Sequence, residues 1–416
     1  MVISVVGIGL DGIENLAPSI VEIVEQATAI AGSKRHLSYF ADRNIKKLEL
    51  TNLQTGLNAI AQLNLNSEKI VVLASGDPLF FGLGRLLLTK FEPAEIEFYP
   101  HLTSIQLAFN RLKIPWQDAS LVSVHGRSTE ELVKLLKQGQ AKIAVLTDSN
   151  NNPAAIARLW HSLELPLNYS FYICANLGSV AEKVSHFPPE SIAELSQLTP
   201  ADFAALNVLI LVREAATAEL DLDRLPLIGI SDRDFLSFPD RPGLITKREI
   251  RLEILGELAL QPQQTVWDIG AGTGSVSIEI ARLCPTSQVY AIEKTAMGSS
   301  LVAQNSQRFQ VNNITSVNGQ APDVLLDLPD CDRIFIGGSS GKIASILTVC
   351  SPKLKQQGLI VMSFATIEYQ LQAIGWLSNH GWQYRLLQLQ ISRSTPINHL
   401  TRLTPLNPVS IITASR

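Results

Sequence analysis

The sequence predicts an α/β fold in two units, and three observations carry that expectation. Short β-rich runs alternate with segments of helical spacing along the whole chain. At 416 residues the chain is too long for one ordinary domain. A glycine turn, Gly270-Ala271-Gly272-Thr273-Gly274, opens a fresh strand–turn–helix pattern well past the middle.

In chain order, residues 2–6, 70–74, 95–99, 121–124, 142–146, 170–174 and 208–212 read as strands. Residues 17–27, 128–137 and 153–161 have helical spacing between them. The period then fades, and residues 215–231 carry small and charged side chains and Pro226, which reads as a linker between units 1–214 and 232–416. In the second half, 265–269, 288–292, 333–336 and 359–363 are expected strands, with helices at 247–258, 275–284, 297–309 and 366–379. Two last strands, roughly 383–391 and 409–413, flank a Pro- and polar-rich loop, so a parallel sheet closed by an antiparallel hairpin fits the order.

Bulk properties exclude several classes. A net charge of −4 argues against a nucleic-acid or anionic-membrane partner. Cys174, Cys284, Cys331 and Cys350 are far apart with no C-x-x-C pair, so buried thiols are expected rather than disulfides, and no metal site is expected. The start of the chain has no basic leader and reads as a first strand, and no apolar run reaches the length of a membrane span. The expected setting is cytoplasmic.

The second glycine turn carries specific chemistry. It follows Trp267-Asp268-Ile269, and nineteen positions after Gly274 a second strand ends in Glu293. Bare glycines let a ligand approach the backbone, a helix start offers unpaired N–H groups, and a carboxylate at Glu293 can hold both hydroxyls of a ribose. Gly270, Gly272 and Gly274 read G-x-G-x-G, whereas a dinucleotide fingerprint places its third glycine where Ser275 stands. With Asp268 this resembles the first motif of Rossmann-type methyltransferases. Gly319 and Ala321, in the turn Asn318-Gly319-Gln320-Ala321-Pro322, would flank an adenine. Trp267 reads as core, and Glu279 with Arg282 as a surface helix pair.

The first half has Gly7-Ile8-Gly9-Leu10-Asp11-Gly12 after strand one and Ser75-Gly76-Asp77-Pro78-Leu79-Phe80-Phe81-Gly82 after a later strand. Pro78 suits the first position of a short helix, with Asp77 as its cap. These motifs, with Val124-His125-Gly126-Arg127, Leu146-Thr147-Asp148 and Ala175-Asn176-Leu177-Gly178, resemble the tetrapyrrole methylases over residues 1–213. The resemblance implies a two-lobed α/β fold binding S-adenosylmethionine. Gly76, Asp77 and Pro78 would line the donor site, Gly9 and Asp11 would face the cleft, and Ser104 would touch the donor.

Ahead of the second turn, Asp240-Arg241-Pro242-Gly243 leads into Thr246-Lys247-Arg248-Glu249-Ile250-Arg251. Thr246 and Glu249 have the spacing of a capping box. Arg241, Lys247, Arg248 and Arg251 gather positive charge able to hold the carboxylates of a large anionic substrate. Together with the Gly270 turn and Ile336-Gly337-Gly338-Ser339, this half resembles the decarboxylating precorrin methyltransferase domain, a Rossmann-like fold, over residues 232–416. The two resemblances imply one S-adenosylmethionine per domain and a precorrin or cobalt-precorrin macrocycle as substrate. They also imply methylation of carbons 5 and 15, decarboxylation of the ring C acetate in cobalamin synthesis, and homo-oligomerisation. Ser339 and Ser340, in the Gly-Gly-Ser-Ser turn, and His399 are candidates by position for a proton donor. Two rivals stand beside this reading: a methyltransferase of RNA or another small molecule, and a chain in which one unit is a non-catalytic module.

Overall fold

The computed structural model describes residues 2–51, 53–65, 69–214, 220–397 and 400–416. The chain forms two compact units. One comprises Met1–Leu132, Ala141–Ala154 and Ser170–Val212; the other comprises Val133–Gln140, Ala155–Tyr169 and Arg213–Arg416. Among the described residues, no helix is long and apolar enough to cross a membrane.

In the first unit, β1 (Ile3–Ile8), β2 (Ala29–Gly32), β3 (Lys46–Glu49), β4 (Ile70–Ser75) and β5 (Ile96–Tyr99) form a sheet in the order β3-β2-β4-β1-β5. All its pairs are parallel. β1 and β4 are buried on both faces, which is why each reads as a near-continuous apolar run. Register sets Ile8 beside Ser75 and Val6 beside Tyr99, so the turns after β1, β4 and β5 leave from one edge. A second, mixed sheet runs β6 (Ser120–Ser123), β7 (Lys142–Leu146), β10 (Asn207–Glu214), β8 (Asn168–Ala175), β9 (Lys183–Phe187). The sequence does not announce β3 or β9. Both are short edge strands rich in polar side chains, so neither carries a buried-strand pattern.

In the second unit, β11 (Thr265–Ile269), β12 (Gln288–Glu293), β13 (Ile314–Asn318), β14 (Cys331–Ile336) and β15 (Leu354–Phe364) are parallel. β16 (Gln383–Leu389) and β19 (Val409–Ser415) complete a seven-stranded sheet, β13-β12-β11-β14-β15-β19-β16, with β19 antiparallel to both neighbours. This is the expected parallel sheet with an antiparallel close. Trp267 is fully buried beneath it, as expected.

Four local expectations are corrected. The loop between the last two strands contains a hairpin, β17 (Ser392–Ile397) against β18 (Leu400–Pro405). Its Thr395, Thr401 and Thr404 suit a strand despite their polarity. The stretch 220–231 is no free linker. Ile230 is buried with Phe235, Ile278 and Phe309, and the Gly229 N–H donates to buried Glu279. No helix starts at Pro78. Asp77 Oδ1 accepts the Leu79 N–H at 2.8 Å in a tight turn, and the helix begins at Gly84. Thr246 is not a cap either: the helix Arg248–Leu258 starts after Lys247 without a side-chain cap, and Glu249 pairs with Arg393.

Candidate active sites

The turns of the first unit converge because β1, β4 and β5 end together. The Gly76 N–H donates to Ile8 O at 3.2 Å, and the His101 N–H to Gly76 O at 3.2 Å. A Cβ at Gly7 would stand 1.9 Å from Gly76 O, so the two turns touch through backbone. A cavity of about 1620 Å³ takes lining from Gly9, Asp11 and Asp77. Another, of about 590 Å³, takes lining from Gly9, Gly76 and Ser104. Asp11 Oδ2 accepts from Asn15 at 2.7 Å, whereas its Oδ1 is buried with no partner among the described residues. Pro78 is buried, and its carbonyl accepts the Gly84 N–H. Thr103 caps the helix Ser104–Leu112, so Ser104 stands at a helix start, exposed. The expected donor-site residues of this half thus gather at one sheet edge.

In the second unit, Ile269 is level with both Ile292 and Ile336, and Glu293 with Asn318. The turns after β11, β12, β13 and β14 therefore share the carboxyl edge of the sheet, where open α/β sheets bind ligands. Gly270, Gly272 and Gly274 have φ of 79°, 57° and 78°, in the left-handed region that favours glycine. The Gly272 N–H donates to Glu293 Oε2 at 3.1 Å, while Glu293 Oε1 accepts from Thr295 N and Oγ1. The carboxylate thus ties the glycine turn to the next strand. Each of its oxygens has more than one lone pair, so an acceptor position is left at Oε2. A Cβ at Gly272 would meet nothing within 4 Å, so open space lies in front of the turn.

Asp268 is fully buried two residues before that turn. Its Oδ2 accepts from the Ser277 N–H and hydroxyl, and its Oδ1 has no partner among the described residues. Burial pushes its carboxyl up to about 6. The Gly319 N–H donates to Glu293 O at 3.0 Å, and Ala321 is partly buried against the core. Ser339 is half-buried, and its carbonyl accepts the Lys342 N–H. Beside it stands an interaction the sequence does not announce: Lys294 Nζ donates to Ser340 Oγ at 2.9 Å, joining the turns after β12 and β14. His399 lies outside the described residues.

The basic group divides. Arg241 is exposed, paired with Asp240 and placed over the Phe238 ring. Lys247 is half-buried, donates to Gly243 O, and is held below its ordinary pKa by burial. Arg248 is exposed and donates through Nε to Gly229 O at 2.7 Å. Arg251 is corrected as a substrate ligand. It is fully buried, with Nη1 2.7 Å from Asp232 Oδ1 and Nε 2.8 Å from Glu279 Oε1, and it also bonds the Thr246 and Ile230 carbonyls. Glu279 is therefore no surface partner of Arg282. Helix spacing explains the first correction: Arg251 falls on the stripe of Ile254, Leu255 and Leu258, the buried face of its helix. Glu279 lies on the helix Ser275–Leu283, which is buried on every side from Ser275 to Ala281.

Comparison with known proteins covers both units. Residues 2–193 match the tetrapyrrole (corrin/porphyrin) methylases, and residues 238–416 match the precorrin methyltransferase domain. A precorrin-6Y C(5,15)-methyltransferase [decarboxylating] from Sinorhizobium sp is 32% identical over 413 residues, 98% of this chain and 95% of that one. The protein of the same name from Mycobacterium tuberculosis is 27% identical over 416 residues, 98% of each chain. A probable cobalt-precorrin-6B C(15)-methyltransferase (decarboxylating) from Pyrobaculum calidifontis is 35% identical over 188 residues, 45% of this chain and 95% of that one. With similarity running end to end through two dissimilar units, the chain belongs to the precorrin-6Y C(5,15)-methyltransferase (decarboxylating) family.

Proposed function

We propose that the chain is a bifunctional S-adenosylmethionine-dependent methyltransferase of cobalamin biosynthesis. It methylates carbons 5 and 15 of a precorrin macrocycle, or its cobalt form, and decarboxylates the ring C acetate, which loses carbon dioxide and leaves a methyl group on the ring. The observation that carries this reading is the full-length match to relatives named for both methylations and the decarboxylation.

The residues present fit one donor in each unit. Supporting observations are the open space before Gly272, the oxygens of Asp268 and Asp11 that have no partner among the described residues, and the turn at Gly76. S-adenosylmethionine supplies an electrophilic methyl group on a sulfonium. In the second unit, Glu293 accepts from the ribose hydroxyls, while Gly270, Gly272 and Gly274 keep the backbone clear of side chains. Gly319 and Ala321 flank the adenine. In the first unit, Gly9, Gly76, Asp77, Pro78 and Ser104 form the corresponding wall, with Asp11 facing the cleft.

The macrocycle's own enamine-like carbons are the nucleophiles, and its conjugated ring takes up the electron pair left by decarboxylation. The protein therefore acts by positioning and by excluding water, and alignment alone can supply roughly 7–11 kcal/mol of a barrier. Carbon 5 is assigned to the first unit. Carbon 15 and the decarboxylation go to the second, on the resemblance of residues 232–416 to the decarboxylating domain. Arg241, Lys247 and Arg248 orient substrate carboxylates, and Ser339 or His399 delivers a proton. The same reading makes the chain a cytoplasmic homo-oligomer with no nucleic-acid partner, a partner that the net charge of −4 disfavours.

Labelled donor is supplied to the full chain together with the metal-free or the cobalt-containing precursor. Mass spectrometry should find two added methyl groups and one lost carbon dioxide. A product with a single methyl group and its acetate intact would defeat the bifunctional reading.

A further inference from the structure

Beside the Gly76 turn, two side chains meet at one hydroxyl. Arg35 Nη2 donates to Ser75 Oγ at 2.7 Å. His36 Nε2 stands 3.1 Å from that oxygen and 3.1 Å from Arg35 Nη2. A guanidinium only donates, so the imidazole nitrogen facing it presents a lone pair and the ring proton is assigned to Nδ1. Burial, and next the charge of Arg35, push His36 down to about 4, so the ring is uncharged at neutral pH. The Ser75 hydroxyl accepts from Arg35, and the single lone pair of His36 Nε2 faces both groups. One guanidinium nitrogen is thereby fixed, while Nε and Nη1 of half-buried Arg35 make no hydrogen bond to the described residues.

Arg35, His36 and Ser75 line the cavity of about 590 Å³ that also takes lining from Gly76 and Ser104. Arg127 lines it as well, following β6 of the other sheet, with its guanidinium 5.4 Å from the Phe81 ring centroid. Among the described residues lining this cavity none is acidic. In the 1620 Å³ cavity, by contrast, Asp11, Asp77 and Glu182 accompany Arg111 and Lys113. A wall with two guanidiniums and no carboxylate favours an anion, and the free fork of Arg35 matches a planar carboxylate.

We propose that Arg35, held in place by Ser75 and His36, is a carboxylate anchor that orients the ligand in this cavity, with Arg127 as its second cation. The inference rests on the methyl-transfer reading of the first unit, which offers two sources of a carboxylate: the amino-acid end of the donor, and the acetate and propionate arms of the macrocycle.

The test uses the full chain and its R35Q and R35K variants. Calorimetry measures S-adenosylhomocysteine, which has the donor's carboxylate, and 5′-methylthioadenosine, which lacks it. Steady-state assays give KM and kcat for carbon-5 methylation. A macrocycle anchor predicts that R35Q raises the precursor KM by about 10- to 100-fold, the loss of a charged hydrogen-bonded pair, with both nucleoside affinities unchanged. A donor anchor predicts that R35Q weakens S-adenosylhomocysteine by that factor and leaves 5′-methylthioadenosine alone. In either case R35K recovers only part of the loss, because it restores the charge without the fork. A far-UV circular dichroism spectrum and a urea midpoint matching wild type report that the R35Q chain is folded. If wild type fails to methylate the precursor, the functional reading falls. If wild type turns over and R35Q matches it in KM and in both affinities, or loses kcat alone, the anchor is overturned.

Discussion

Gly270 and Gly272 share one turn and left-handed φ values of 79° and 57°, yet the structure constrains them differently. A Cβ at 270 would stand 2.6 Å from Gly338 N, 2.7 Å from its O and 2.8 Å from its Cα. These are backbone atoms that cannot swing aside as a side-chain tip can. A Cβ at 272 would meet nothing within 4 Å. Both alanine variants carry the left-handed penalty of about 1–2 kcal/mol. Only Gly270→Ala adds overpacking, about 1–3 kcal/mol more. The expected losses are therefore about 2–5 kcal/mol for Gly270→Ala and about 1–2 kcal/mol for Gly272→Ala. Urea unfolding followed by tryptophan fluorescence measures them. Function should rank the positions the other way. Gly272→Val projects into the open space where the donor is placed, so S-adenosylhomocysteine titration should find two sites on wild type and one on a folded Gly272→Val chain. That variant should lose decarboxylation and keep carbon-5 methylation. Equal destabilisation by the two alanines would refute the packing argument. Two intact sites in Gly272→Val, or carbon dioxide loss undiminished, would refute the placement of the second donor.

Arg251→Met should cost about 3–5 kcal/mol, because Glu279 would keep a buried carboxylate without its counter-ion and Asp232 would keep only Arg393, 3.4 Å away. A urea midpoint close to wild type would show that the trio is dispensable. Asp268, pushed up to about 6, binds its proton more tightly folded than unfolded, where aspartate titrates near ~3.9. Its contribution to stability is full below about pH 4 and is lost as pH rises through about 6, about 3 kcal/mol in all. Asp268→Asn should abolish this component, seen as a smaller pH slope of the unfolding free energy than in wild type. Identical slopes in the two proteins would contradict it.

What could be read before folding is the chemistry written in short windows. The strand–glycine–helix run at Trp267–Gly274, the carboxylate at Glu293 and the Gly76-Asp77-Pro78 turn each announce a strand end by local means. The structure has a turn at each of these positions, on the carboxyl edge of its sheet. Edge strands such as β3 and β9 lacked an apolar pattern, and the Thr-rich hairpin β17–β18 looked like loop, because their stability comes from pairing rather than from their own residues.

The sequence by itself determined the two α/β layers, the glycine turns and the family motifs, because periodicity and backbone freedom are properties of neighbouring residues. Only the tertiary structure decided which charges are buried in the core and which line a cavity. Arg251 belonged to a basic cluster in sequence, yet the helix period turns it inward to Asp232 and Glu279. Arg35 stood forty positions from Ser75 with nothing to connect them, until parallel pairing set Ala31 of β2 beside Val72 of β4 and brought the two strand ends together. Register between distant strands is set by which faces must be buried, and no short stretch of sequence contains it.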